Sequence, residues 1–326
     1  MPTPEQHAVL SASSAHRWLS CPPSARLAEQ FPESTSPYAE AGRVAHAIGE
    51  LKARKYFLEP MSSRSYNARM KKLQSDPSYD KSMEENTDIY LETLKETALA
   101  FESAPFVALE TRVNFSDYAP DGFGTADCIM IGGGTIVIID YKNGAGVPVE
   151  AEDNPQMKLY ALGALQVYAP IYGDTIQRAV LKIVQPNAGG AKSWETTVPE
   201  LRAWGENGVK PAAAQAFAGE GEFSAGDWCR FCPAKAQCSA RARQLLALEP
   251  LAGAKPQELA EPESTSPLLT DAEIGDVLRR AQTLAAWVAE LKEYALSAIL
   301  AGREIPGFKA VAGKSSRNWG DQDAAF

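Results

Sequence analysis

Two short runs, Gly124-Thr-Ala-Asp127 and Asp140-Tyr-Lys142, hold the residue types of metal-assisted hydrolysis. They fall on adjacent predicted strands joined by Gly132-Gly133-Gly134, with Asp127 and Asp140 nearly symmetric about that turn. Side chains alternate along a strand, so Asp140 and Lys142 project on one face. Two carboxylates and a lysine therefore converge at one end of a hairpin. Bringing two like charges together costs free energy unless a cation sits between them, and an oxygen-rich site of this kind suits Mg²⁺ or Mn²⁺. An isolated D-x-K is more often a surface ion pair at a strand end, so the weight falls on its neighbours. Gln156 and Tyr160 stand i, i+4 and share a face of the next predicted helix. His46 closes the run Gly42-Arg-Val-Ala-His46 on an earlier helix, and Glu110 interrupts the apolar strand Phe106-Val-Ala-Leu-Glu-Thr-Arg-Val. Taken alone, His46 would more often be a helix-face histidine with no ligand role.

In this order, G-x-x-x-H, G-x-x-D, D-x-K and Q-x-x-x-Y resemble the RecB-type branch of the PD-(D/E)XK nuclease superfamily, over roughly Ser11 to Arg243. The chain is also similar to a family of phage-borne proteins assigned to that superfamily. The resemblance implies an α/β, restriction-endonuclease-like core: a mixed central sheet flanked by helices. It implies a divalent-metal-dependent deoxyribonuclease, exonuclease favoured over endonuclease, acting in phage or prophage recombination or repair. By the same resemblance His46, Asp127, Asp140 and the Tyr141 carbonyl ligate Mg²⁺ or Mn²⁺. Lys142 orients the attacking water and stabilises charge at the phosphate, while Gln156 and Tyr160 support the site or the DNA backbone. Glu110 matches a frequently acidic first-strand position. One departure is Asp140, a carboxylate one methylene shorter than the glutamate commoner at that place. The residue types suit the chemistry, because a metal ion makes hydroxide available near neutral pH and lysine adds positive charge where the transition state gains negative charge. The alternative is a catalytically weak DNA-binding or assembly module of a recombination complex.

A second constellation is Cys229-Arg-Phe-Cys232-Pro-Ala-Lys-Ala-Gln-Cys238, a C-x₂-C-x₅-C run, with Cys21 far upstream. Four thiolates suit an iron–sulfur cluster or Zn²⁺, and a three-plus-one split is less typical of zinc than two local pairs. The pattern resembles the iron staple of AddB-type and CRISPR-adaptation RecB-like nucleases. That resemblance implies a structural [4Fe–4S] cluster on Cys21, Cys229, Cys232 and Cys238, with Zn²⁺ as the alternative. Cys128 follows Asp127 on its strand and points the other way, into the core.

The elements that must position these groups are legible in the hydrophobic period. Helices are predicted around Trp18, over Tyr38–Phe57 and over Met83–Phe101, with the polar residues 60–82 read as a mobile insertion. Strands follow at Phe106–Phe115, Thr125–Ile131, Thr135–Tyr141 and Ala179–Gln185. Ile136-Val137-Ile138-Ile139 is apolar on both faces, as in a central covered strand. Asn154-Pro155 caps a helix over Gln156–Tyr168, and Pro199–Phe217 is another helix. This gives a nuclease domain over 1–248 with an N-terminal helical segment and a closing cysteine staple, a Pro/Glu-rich linker over 249–269 and a helical appendix over 270–326 that Asp271 can cap.

The chain has 326 residues, 45% of them apolar, and a net charge of −9. That excludes a uniformly basic DNA-coating protein but not an enzyme with a local basic groove. Residues 41–72 carry eight basic residues, Arg43, Lys52, Arg54, Lys55, Arg64, Arg69, Lys71 and Lys72, against Glu50 and Glu59. They are the expected phosphate-contacting surface, though a solvated helix face is an equal reading. Tyr56, Phe57 and Tyr66 interleave there and could stack on unpaired bases. Lys309, Lys314 and Arg317 form a smaller basic patch. Gly307 to Ser315 has five residues between its glycines where a Walker A loop needs four, so no ATP site is expected. DNA is the expected partner, with a single-strand-binding or annealing protein as a candidate second one and an oligomer allowed. No apolar run is long enough to span a membrane and Met1–Gln30 has no secretory pattern, so the expected location is the bacterial host cytosol.

Overall fold

A computed structural model describes residues 8–31, 37–145, 147–247 and 266–311. Contacts divide the chain into two units, Met1–Ala236 and Gln237–Phe326. The division falls inside the cysteine run, between Cys232 and Cys238. Most of the predicted linker, Lys314 and Arg317 lie outside the described residues.

Unit one is α/β. Five helices lead in: α1 (Ala15–Ser20), α2 (Ser24–Ala28), α3 (Pro37–Phe57), α4 (Ser63–Gln74) and α5 (Ser82–Leu99). A five-stranded sheet follows in sequence order: β1 (Phe106–Asn114), β2 (Phe123–Gly132), β3 (Thr135–Tyr141), β4 (Arg178–Gln185) and β5 (Gly190–Thr197). Only β3 and β4 run parallel. A parallel pair needs a crossover, and α6 (Pro155–Tyr172) supplies it. Asn154 starts that helix as predicted, its side chain accepting from Met157 N–H at 3.2 Å. The turn between β2 and β3 needs glycine: Gly133 and Gly134 have φ of 51° and 74°.

The sheet is covered on both faces, as the β3 sequence requires. Ile136 and Ile138 are buried in a cluster with Met157, Ala161 and Leu165 of α6. Val137 and Ile139 are buried in a second cluster with Val44 and Ile48 of α3 and Tyr90 and Leu94 of α5. Each such side chain contributes roughly 1.5–3 kcal/mol by leaving water.

Three elements depart from the sequence expectation. Residues 60–82 are not an unstructured insertion but contain α4. Ser62 accepts from Ser65 N–H as its cap, and Met70 is buried beside partly buried Tyr66 and Leu73 in the second cluster. Its few apolar residues hide in a highly charged segment, which masked the period. Strand β5 was not predicted because Gly-Ala-Lys-Ser-Trp-Glu-Thr-Thr has no apolar run, as an edge strand pairing only with β4 allows. The helix expected over Pro199–Phe217 is α7 (Val198–Trp204) and α8 (Lys210–Ala218), joined by a π-type turn over Gly205–Val209.

Unit two contains α9 (Ser239–Leu246) and α10 (Asp271–Leu300). Thr270, not Asp271, caps α10, in a reciprocal box with Glu273. Among the described residues no helix is long and apolar enough to cross a membrane.

Candidate metal centre

The site forms where the sheet opens around Asp127. The β2–β3 ladder ends at Cys128↔Ile139, so Asp127 and Asp140 are the next opposed pair, but they do not continue it. Instead the Asp127 carboxylate accepts the Tyr141 N–H at 2.7 Å. Past this point β3 follows β4, with Lys142 N–H donating to the Val184 carbonyl at 2.9 Å. On the other flank the β1–β2 pairs Leu109↔Cys128 and Thr111↔Ala126 leave Glu110 unpaired opposite Asp127. Glu110 has φ of 47°, a left-handed backbone that costs a non-glycine residue about 1–2 kcal/mol.

Helices bring the remaining groups from both sides. From α3, His46 Nδ1 lies 3.4 Å from Asp127 Oδ2, with its ring edge-on to Tyr141 at 5.4 Å. One ligand atom each of His46, Glu110 and Asp127 lies within 4.8 Å of the others. From α6, Gln156 Nε2 donates to Asp140 Oδ1 at 3.2 Å and to the Tyr160 hydroxyl at 3.1 Å. Gln156 Oε1 accepts from Lys142 Nζ at 3.3 Å. Tyr160 reaches the site because Gly124 has no side chain: a Cβ there would meet the Tyr160 ring at 2.7 Å. Gly42 is different, since a Cβ there would meet nothing; packing does not require its glycine.

Lys142 Nζ lies 3.0 Å from Asp140 Oδ2. That oxygen is buried and makes no hydrogen bond of good geometry, so the lysine supplies charge but leaves a lone pair unused. An under-used Asp140 oxygen that feels the charges of Asp127 and His46, with the latter two converging on Glu110, fits a hard divalent cation. His46, Glu110, Asp127 and Asp140 are the side chains available to hold it.

The charges are strongly coupled. Burial opposes protonation of His46, but Asp127 outweighs it and lifts its pKa to about 9. Burial, then the Asp127 charge, pushes Glu110 up to about 8. Burial likewise opposes the Lys142 charge, and Asp140 followed by Asp127 more than restores it. Both His46 and Glu110 thus bind a proton more tightly folded than unfolded. Stability of the metal-free protein must fall as pH rises, over about 4.5 to 8 for Glu110 and 6.5 to 9 for His46. A divalent ion needs both groups deprotonated. In thermal melts from pH 6.5 to 9, the transition in EDTA should therefore move down while the upward shift produced by Mn²⁺ grows. A Mn²⁺ shift that does not change with pH would contradict the ligand set.

All seven predicted chemistry-bearing side chains assemble here, in two subsets. His46, Glu110 and Asp127 converge directly, while Asp140, Lys142, Gln156 and Tyr160 form one bonded network; the Tyr141 N–H links them through Asp127. Glu110 stands nearer the centre than its sequence position alone suggested. Asn143 was not singled out; it accepts from the Tyr141 hydroxyl at 3.0 Å, and no motif signalled it.

The predicted basic surface needs correction. Lys52 is buried, its ammonium bonded to Asp88 Oδ1 and the Glu84 carbonyl, each at 2.6 Å, so it does not face a phosphate. Arg43 is held by Glu40 and Asp76 and Arg54 by Glu50. Lys55, Arg64, Arg69, Lys71 and Lys72 are exposed.

Of the cysteines, Cys21, Cys229 and Cys232 belong to unit one and are buried, and Cys238 belongs to unit two. Cys128 lies in the second apolar cluster, as expected. The segment before Cys21 lies against that before Cys229: His16 faces the Trp228 ring at 6.0 Å and Ser224 donates to the Ser20 carbonyl. Among the described residues no three cysteine sulfurs approach within 4.8 Å of one another.

A family model described as "Protein of unknown function (DUF2800)" matches residues 7–326. The chain belongs to the DUF2800 family. This DUF2800 chain is also similar to a solved structure described as "Crystal structure of SSO0001". They are 14% identical, with 70% of this chain and 96% of that one covered and a TM-score of 0.27. No fold or function is carried over from that likeness.

Proposed function

We propose that this DUF2800 chain is a divalent-metal-dependent deoxyribonuclease of the PD-(D/E)XK type, acting from DNA ends in phage or prophage recombination or repair. The observation that carries the reading is the joint placement of His46, Glu110 and Asp127 within 4.8 Å beside an Asp140–Lys142 pair at 3.0 Å. That is the donor set of a hard cation next to a fixed ammonium, which phosphodiester hydrolysis uses. A bound Mg²⁺ or Mn²⁺ would supply Lewis acidity and neutralise phosphate charge. The protein's own groups do the rest. Lys142, kept protonated by Asp140, presents positive charge where the phosphate gains negative charge. Gln156 fixes both partners of that pair through its amide, and Tyr160 fixes Gln156. Helices α3 and α6 hold this geometry before substrate arrives, so no reorganisation is needed during the reaction.

The cysteine pattern is the basis for proposing a structural [4Fe–4S] cluster on Cys21, Cys229, Cys232 and Cys238. Protein purified without oxygen should be brown with about four irons; a colourless protein with stoichiometric zinc contradicts the cluster. The nuclease reading is tested on the same preparation with linear DNA labelled at either end and with covalently closed circles, in Mg²⁺ or Mn²⁺. An exonuclease releases short labelled products and spares the circles. Cutting of circles would overturn the exonuclease assignment, and inert linear DNA would overturn the nuclease reading.

A further inference from the structure

Helices α3, α4 and α5 build a surface on which rings and ammonium groups alternate. Lys55 Nζ sits 4.0 Å from the Tyr66 ring centroid and Lys95 Nζ 5.0 Å from that of Tyr56. Tyr56 meets Phe57 edge-on at 4.7 Å. Tyr56 is 57% exposed and lines two adjoining depressions. One, of about 250 Å³, lies between Lys55, Tyr56, Tyr66 and Leu91. The other, of about 500 Å³, lies between Tyr56, Phe57, Lys95 and Phe101. Lys95 lies outside the basic window of the sequence and comes from α5.

The adjoining helix adds the charge. Arg64, Arg69, Lys71 and Lys72 all lie on α4, which carries no acidic residue. All four are exposed, and among the described residues none makes an ion pair. The carboxylates at the depressions are largely committed: Asp88 is bonded to Lys52 at 2.6 Å and Glu92 to Lys95 at 3.2 Å, while Glu102 lines the larger one.

We propose that this surface binds single-stranded nucleic acid, bases stacking on Tyr56 and Tyr66 and phosphates following Lys55 and the bases of α4. An ammonium already over a ring marks a place where aromatic faces and positive charge are used together, and a strand of unpaired bases offers both complements. A duplex hides its base faces, and an acidic peptide has no series of flat rings. Tyr56 stands ten residues beyond His46 on α3, about 15 Å along the helix axis at 1.5 Å per residue. The inference rests on the nucleic-acid part of the proposed function, but its test does not need the metal.

The test is fluorescence anisotropy of a short labelled oligothymidylate with the full chain in EDTA, where no cleavage intervenes. Tyr56→Ala should weaken binding roughly ten-fold, and Tyr56→Phe should keep it. A strand of equal length without bases should bind wild type roughly ten-fold less tightly, and Lys71→Ala with Lys72→Ala should flatten the salt dependence. Tyr56 is exposed, so loss of folding does not confuse the result; circular dichroism checks this. Equal binding of the baseless strand, unchanged binding by Tyr56→Ala, or tighter binding of a duplex overturns the inference. Ring-dependent binding without cleavage in Mg²⁺ would overturn the nuclease reading and leave this one standing. Cleavage with ring-independent binding would do the reverse.

Discussion

Lys142→Ala should lower the rate of DNA cleavage by about 10²- to 10³-fold, the usual effect of removing one fixed charge-stabilising group. DNA binding measured in EDTA should scarcely change. Lys142 Nζ is 3.0 Å from a carboxylate whose side chain is only 3% exposed, and Gln156 braces both partners. Removing the lysine leaves Asp140 as a buried charge without its bonded counter-ion, balanced only through space by His46, and breaking a buried pair costs about 3–5 kcal/mol. Asp140, already pushed up by burial, would then rise further. The variant should therefore lose more stability above neutral pH than below it, as calorimetric melts would show. Lys142→Ala combined with Asp140→Asn should recover much of the stability and none of the activity. A fully active Lys142→Ala protein would remove this residue from the chemistry.

Glu110 should separate stability from metal binding. Its left-handed backbone sits inside a strand, and the half-buried carboxyl beside Asp127 resists ionisation. Glycine accepts that backbone freely, at a cost of about 0.5–1 kcal/mol in chain entropy, while the strain relieved is about 1–3 kcal/mol. Glu110→Gly should stabilise the metal-free protein by about 1 kcal/mol, a rise of about 2–4 °C in a unit of this size. The same change removes one of the three converging ligand atoms, so Mn²⁺ affinity by calorimetric titration should fall at least ten-fold. Glu110→Gln keeps the strain and should also lose the metal; because its amide does not ionise, it should gain stability over wild type only as pH rises above about 4.5, whereas the glycine gain persists below it. If Glu110→Gly melts below wild type in EDTA, the strain is not stored at this residue.

The chemistry-bearing residues were legible because each is a polar group in an apolar context. Asp127 interrupts one apolar strand and Asp140 lies near the end of the next, and Gln156 and Tyr160 share a helix face at i, i+4. Their symmetric placement about the glycine turn followed from strand geometry alone. The left-handed backbone at Glu110 was not legible, since nothing in an apolar strand sequence marks a positive φ at a non-glycine residue. Strand β5 and helix α4 escaped because each keeps only a few apolar residues. The basic window over 41–72 misled for a related reason. Charge counting cannot see that Lys52 turns inward to Asp88 while Lys55, nine residues beyond His46 on the same helix, faces a tyrosine ring. The chain belongs to DUF2800 over residues 7–326.

The central claim is that the cluster around Asp127 and Asp140 hydrolyses DNA with a divalent ion. The direct measurement is release of labelled nucleotide from linear DNA by protein purified without oxygen, wild type against Asp140→Ala, in Mn²⁺ and in EDTA. The predicted result is release by wild type in Mn²⁺ only, with Asp140→Ala inactive in both. Release that persists in EDTA or in Asp140→Ala, or no release by the folded wild type in Mn²⁺, would contradict it.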